Sequence, residues 1–194
     1  MSYNSSYKKW HKPNKSEKAK TYQGYYKDLK NPNKYIGDPK QIIYRSSWEF
    51  SFIKWCDFSP SVLRWSSEPV KVPYYDRVSN LEENRRYGLD PNNPKNWKVR
   101  HYYTDFWVEI SKQNNEIERW FVEIKPACKL KRPKSPPENA KVQTIKKYNR
   151  EMKEYLINEA KFYAINEWAK RHNSKFYVFT ENTLGKVIGR FWHS

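Results

Sequence analysis

At 194 residues, with 37% hydrophobic and 18% aromatic side chains, the chain is long enough for one domain whose core must lean on Trp, Tyr and Phe. A formal charge of +17 repels itself unless a polyanion neutralises it, which points to nucleic acid before an anionic membrane surface and argues against a small acidic substrate. The two isolated cysteines, Cys56 and Cys128, exclude a disulfide framework and suit a reducing cytoplasm; no apolar run reaches the roughly 18 residues of a membrane span, and no signal peptide is expected at the start.

In chain order, residues 1–40 hold ten lysines against three acids, with many Asn and Tyr and almost no aliphatics. Such a segment cannot build a core by itself. It reads as a basic N-terminal arm lying outside the core, either anchoring or touching nucleic acid, or as an inert tail. Residues 41–194 read as a single domain. SSWEFSFIKWCDF predicts a helix with Ser46 as its N-cap. EPVKVPYY (68–75) predicts a strand whose two prolines suit an edge. Residues 76–98 read as a long loop, punctuated by Gly88, Asp90-Pro91 and Asn93-Pro94. WKVRHYYTDFWVEI continues as extended chain, SKQNNE as a turn, and IERWFVEIK as the next strand. KPACKLKRPKSPPE is a Pro- and Lys-rich loop. Residues 139–171 predict one long helix or two, and KFYVFTE (175–181) a last strand. The fold class expected is α/β or α+β.

Two residues in IERWFVEIK raise the question of chemistry. Trp120, Val122 and Ile124 alternate as a half-buried strand requires, and the opposite face carries Phe121, Glu123 and Lys125. On the preceding strand Phe106, Val108 and Ile110 share one face, and Asp105, Trp107 and Glu109 the other. If Ser111 pairs with Ile117 across the turn, Asp105 lies opposite Glu123, close enough for two carboxylates to share a divalent cation. A slip of one residue would separate them onto opposite faces. His11, His101, His172 and His193 have no zinc-like spacing to either cysteine, so a metal here must be held by carboxylates.

The helices add further candidates, each with a plain alternative. Glu49, Phe52, Ile53 and Cys56 form one stripe, which puts Glu49 on or beside the inward face. Ser46-x-x-Glu49 is equally a capping box, in which Glu49 reaches back to the backbone at Ser46. Lys161 interrupts the apolar stripe of Ile157, Ala160, Ala164, Ile165 and Trp168; it either snorkels to solvent or enters the same site as a phosphate contact. Three acids and a lysine would suit phosphodiester hydrolysis. Asp105 and Glu123 would hold Mg2+, Glu49 would complete the shell, and Lys125 would orient water or offset charge on the phosphate. Lys129, Lys131, Arg132 and Lys134 begin four residues beyond Lys125 and either flank the cleft against DNA phosphates or form a solvated loop. No helix-turn-helix or finger pattern points to base-specific reading.

Asp105 followed after a hairpin by Glu123-Ile124-Lys125 resembles the signature of the PD-(D/E)xK nuclease superfamily, although Thr104 stands where the signature has proline. A longer pattern is more specific: MSYN, KNPNKYIGDPKQIIYRSSWEFSFIKWCD (30–57), WSSEPVKVPY (65–74), YTDFWVEI, FVEIKP and NEAKFYAINEWAK (158–170). Over most of residues 30–181 it is similar to the head completion nucleases of T-even-type tailed phages, and to the amino-terminal nuclease half of TnsA-type transposase subunits. Residues 8–29 and 76–98 look like insertions relative to that pattern. The resemblance implies a restriction-endonuclease-like core, a small mixed sheet flanked by helices with the acids at one end. It implies Mg2+-dependent (Mn2+ as substitute) cleavage of double-stranded DNA, with Glu49, Asp105, Glu123, Lys125 and, more loosely, Lys161 in the site. The role implied is head completion after packaging and before head-tail joining, with portal or neck proteins as partners, in the host cytoplasm and away from membranes. The competing expectation is a structural head-neck joining protein on a nuclease fold that binds without cutting.

Overall fold

The strands around SKQNNE are apolar on both faces, so the sheet they build must be covered on both sides. The computed structural model describes residues 22–79, 81–90 and 92–189 and shows how. It begins with strand β1 (Gly24–Tyr25), strand β2 (Ile43–Tyr44), helix α1 (Ser47–Phe58), strand β3 (Val62–Ser67) and strand β4 (Lys71–Asp76). A short helix α2 (Leu81–Arg86) leads to strands β5 (Lys98–Tyr103), β6 (Phe106–Ser111) and β7 (Ile117–Ile124). Helix α3 (Val142–Arg171), strand β8 (Lys175–Phe179) and helix α4 (Leu184–Ile188) follow.

The central sheet has the order β3-β6-β7-β8, antiparallel except for the parallel pair β7 and β8. A parallel pair needs a crossover, and α3 supplies it as one 30-residue helix. The β6–β7 hairpin closes with Ser111 opposite Ile117 and runs to Phe106 opposite Val122, the register expected from the turn. One face of the sheet is packed by α1 and α4 around Phe52, Ile53, Trp65, Phe106, Val122 and Leu184. On the other, Phe121 packs with Val72 and Tyr74 of β4, Tyr102 of β5, and Ile165 and Ala169 of α3. The result is the mixed sheet flanked by helices that the resemblance implied. No helix among the described residues is long and apolar enough to cross a membrane.

Three expectations need correction. Residues 22–40, expected to lie outside the core, are mostly exposed but send Tyr26 into it and pack Leu29 and Tyr35 against it; residues 1–21 lie outside the described residues. Tyr26 is buried and donates to Asp57 Oδ2 (3.1 Å), and the Asp57 carboxylate also accepts from the backbone N–H groups of Lys30 (2.9 Å) and Asn31 (2.8 Å). A buried carboxylate at the end of α1 thus does what the missing aliphatics could not. Second, the 76–98 segment is not all loop, since it contains α2 and a 3-10 turn at Pro94–Asn96. Third, WKVRHYYTDFWVEI, expected as extended chain, is extended but bent. It breaks at Thr104 and Asp105 into β5, which pairs with β4 in a separate two-stranded sheet, and β6 in the central sheet.

That break is a corner shared by two segments of the chain. Ser67 pairs with Phe106 in one sheet and Lys71 with Tyr103 in the other, so residues 68–70 face only residues 104–105 across the bend. The extra residue makes the corner bulge-like, a device that re-aims side chains. Glu68 takes a positive φ of 47° there, and its N–H donates to the Asp105 carbonyl (3.0 Å).

Candidate active site

Asp105 occupies that corner, one residue before β6, and continuation of the β6–β7 register sets it opposite Glu123. Its Oδ2 accepts from the Ile124 N–H at 2.7 Å, which ties the carboxylate to β7 beside Glu123. Glu123 lies on the α3 side of the sheet and is 3% exposed. Both its oxygens are engaged: Oε1 by Lys125 Nζ at 3.0 Å and Oε2 by the Tyr102 hydroxyl at 2.5 Å. Lys125 extends one pleat beyond Glu123 on the same face, its backbone N–H held by the Phe179 carbonyl of β8 (2.9 Å).

Glu49 comes from the first turn of α1. Ser46 caps the helix as expected, its Oγ accepting from the Glu49 N–H (3.1 Å), but the Glu49 carboxylate reaches past the Ser46 N–H and accepts from Ser46 Oγ (2.9 Å) and the Arg45 N–H (2.8 Å). The same carboxylate is close enough to Asp105 and Glu123 to repel both. The cap and the acid cluster are therefore two uses of one side chain. Lys161, from the middle of α3, sends its ammonium over the rings of Tyr102 (5.4 Å) and Tyr74 (5.8 Å) rather than out to solvent.

The electrostatics follow from burying like charges together. Burial raises the Asp105 carboxyl well above its ordinary range, and repulsion from Glu123 and Glu49 adds to it; the Ile124 N–H and Lys125 oppose the rise. Glu49 is raised for the same reasons, burial first. Burial works against the Lys125 charge, yet Glu123, Asp105 and Glu49 together lift its pKa above that of an ordinary lysine. Lys161 moves the other way, lowered by burial and by repulsion from Lys125. The five expected residues thus act on one another at one end of the sheet. Lys131, Arg132 and Lys134 stay exposed on the segment after β7, and Lys129 is ion-paired with Glu154 of α3 (2.7 Å).

Among the described residues, no three Asp, Glu, His or Cys side chains are gathered as a ready-made metal cage. Two facing carboxylates are nonetheless a donor set that fits Mg2+, which prefers oxygen, keeps several waters and completes its shell from substrate phosphates. The raised Asp105 and Glu49 carboxyls fit as well, because a divalent cation would offset the burial and repulsion that raise them.

Sequence reading missed Tyr102, which engages Glu123, and the Arg45–Glu68 pair beside the acids, Nη1 to Oε1 2.7 Å. A continuous strand would put Tyr102 on the face opposite Asp105. Only the corner at 104–105 turns it toward Glu123.

Comparison with known proteins gives the chain a family. The family described as TnsA-like endonuclease N terminal matches residues 59–181, a span that takes in Asp105, Glu123, Lys125 and Lys161 but stops short of Glu49. The "Head completion nuclease" of Enterobacteria phage T4 is 31% identical over 155 residues, covering 80% of this chain and 89% of that protein.

Proposed function

Since the chain belongs to the TnsA-like endonuclease N-terminal family, we propose that it is a metal-dependent deoxyribonuclease acting on double-stranded DNA in phage head completion, after packaging and before head-tail joining. Asp105 and Glu123 would hold Mg2+, with Mn2+ able to substitute, and Glu49 would complete the shell. The observation that carries this reading is the set of Asp105, Glu123 and Lys125 gathered at one end of the β6–β7 hairpin, with Lys125 paired to Glu123 and Asp105 tied to the neighbouring Ile124 N–H.

The bound metal supplies Lewis-acid activation of a water and of the scissile phosphate. The chain's own residues do the rest. Lys125, with its pKa raised, remains an ammonium and offsets the negative charge that builds on the phosphate. Its proximity to Glu123 keeps it aimed along the same face. Lys161 adds a second positive charge from α3, and the rings of Tyr74 and Tyr102 keep it out of bulk water. Tyr102 fixes the Glu123 carboxylate in one orientation. The Lys131, Arg132 and Lys134 segment, with Lys129 beside it, contacts DNA backbone phosphates, giving salt-sensitive binding without base reading.

In this reading residues 41–194 with the packed 22–40 segment form the nuclease domain, and the basic residues before them act as an arm toward DNA or a portal or neck protein. The work takes place in the host cytoplasm during virion assembly. The test is cleavage of linear and supercoiled duplex DNA with Mg2+, Mn2+ or EDTA, comparing wild type with Lys125→Ala. Cutting that needs metal and disappears in the variant supports the nuclease. Wild type that binds DNA but never cuts it with either metal would transfer the chain to the structural head-neck joining role.

A further inference from the structure

Arg45 stands beside the acid cluster without a part in the capping or metal-holding just described, its backbone N–H alone serving Glu49 (2.8 Å). Its guanidinium pairs with Glu68, Nη1 to Oε1 2.7 Å, and its side chain is 53% exposed. Its charge acts on Glu49 and Asp105. Glu68 is the corner residue with φ of 47°, and its N–H clamps the Asp105 carbonyl.

An exposed pair of this kind adds little to stability. A side chain held in left-handed backbone is strained in a way that glycine would avoid. The ion pair does not repay that conformation, yet a carboxylate stands there, one hydrogen bond from the Asp105 main chain. Strained non-glycine positions persist where the surrounding structure over-determines them, and they cluster at active sites and ligand clamps. A guanidinium fork fits a phosphate as well as a carboxylate, with two parallel N–H donors.

We propose that Arg45 is a phosphate-binding residue of the DNA cleft, parked on Glu68 in the free protein and transferred to a backbone phosphate of the bound duplex. The proposal deepens the nuclease reading and rests on it for the identity of the ligand. Glu68 acts as an internal stand-in for phosphate. It keeps the guanidinium oriented beside Asp105, and it restrains one cation of a chain already carrying +17 from indiscriminate polyanion binding.

The experiment is a double-mutant cycle read by fluorescence anisotropy on a short duplex in EDTA, across a salt series. It uses the full chain with Arg45→Ala, Arg45→Lys, Glu68→Gln and the Arg45→Ala/Glu68→Gln double variant, each checked by thermal melting. Arg45→Ala is expected to bind about tenfold more weakly, with the slope of log affinity against log salt reduced by about 0.9. Arg45→Lys should keep the slope and recover only part of the affinity, because the fork is lost. Glu68→Gln should bind severalfold more tightly, and that gain should vanish in the double variant. A gain from Glu68→Gln that persists without Arg45 would be a bulk charge effect and would overturn the proposal, as would unchanged affinity and slope in Arg45→Ala. Cleavage by wild type with Mg2+ is scored separately. Binding through Arg45 without cleavage retires the nuclease and keeps the contact, whereas cleavage with a silent Arg45 retires the contact alone.

Discussion

The two faces of the central sheet obey different rules. Toward α1 and α4, the large inward residues Phe52, Trp65, Phe106, Val122 and Leu184 are at most 1% exposed and apolar in their packing. Toward α3 the core is smaller, built on Tyr74, Tyr102, Phe121 and Ile165, and it ends in Glu123, Lys125 and Lys161. One face fixes the fold; the other gives up stability to keep charges close. Burying a charge is unfavourable unless it is compensated, and the raised pKa of Asp105 is the sign of that penalty.

Substitutions on each face should separate these roles. The largest effect is expected from Leu184→Ala, at a site with 0% exposure in the apolar core. It should cost about 2–5 kcal/mol in denaturant unfolding and leave cleavage per folded molecule unchanged. Loss of cleavage in the folded fraction would show that the two faces are not separable. Tyr102→Phe keeps the ring but removes the donor to a buried carboxylate, at a cost of about 1.5–3 kcal/mol. Its cleavage rate should fall by about tenfold or more with substrate binding little changed. Cleavage at the wild-type rate would show that Glu123 needs no hydroxyl to hold it.

A smaller effect should appear far from the site. Hydrogen bonds from Lys112 and Lys175, and then from the Trp120 indole, hold Glu118 at about 2, below its ordinary value of 4.5. A carboxyl depressed in the folded state contributes stability that is complete above pH 4.5 and fades as pH falls toward about 2. Glu118→Gln should lose about 0–1 kcal/mol at neutral pH, give a flatter acid limb in that window, and converge with wild type below it. Parallel acid limbs would mean that the pairs seen at Glu118 do not contribute.

How much of this was legible in the sequence depended on whether the deciding contact was local. The β6–β7 register could be read because a short turn fixes it, and with it the facing of Asp105 and Glu123. The cap at Ser46 and the stripe interrupted by Lys161 follow from helical spacing alone. The corner at Glu68 and Asp105 could not be read, since it comes from two remote strands changing sheets together. Tyr102 was hidden for the same reason, as its facing depends on that bend. The packing of residues 22–40 was hidden because Asp57, a polar residue distant in the chain, organises it in place of aliphatics.

The most direct test of a face that trades stability for chemistry is thermal unfolding of wild type and Asp105→Asn, each with Mg2+ and with EDTA, beside a cleavage assay. A carboxyl raised in the folded state favours folding below its ordinary value of 3.8 and loses that advantage as pH rises toward its folded pKa. The uncharged amide keeps an acceptor for the Ile124 N–H. Near neutral pH in EDTA, Asp105→Asn should therefore melt higher than wild type, with the difference gone below pH 3.8. Mg2+ should raise the wild-type Tm, leave the variant's nearly unmoved, and support cleavage by wild type alone. A variant that melts lower in EDTA, or that gains as much from Mg2+ as wild type does, would contradict the account.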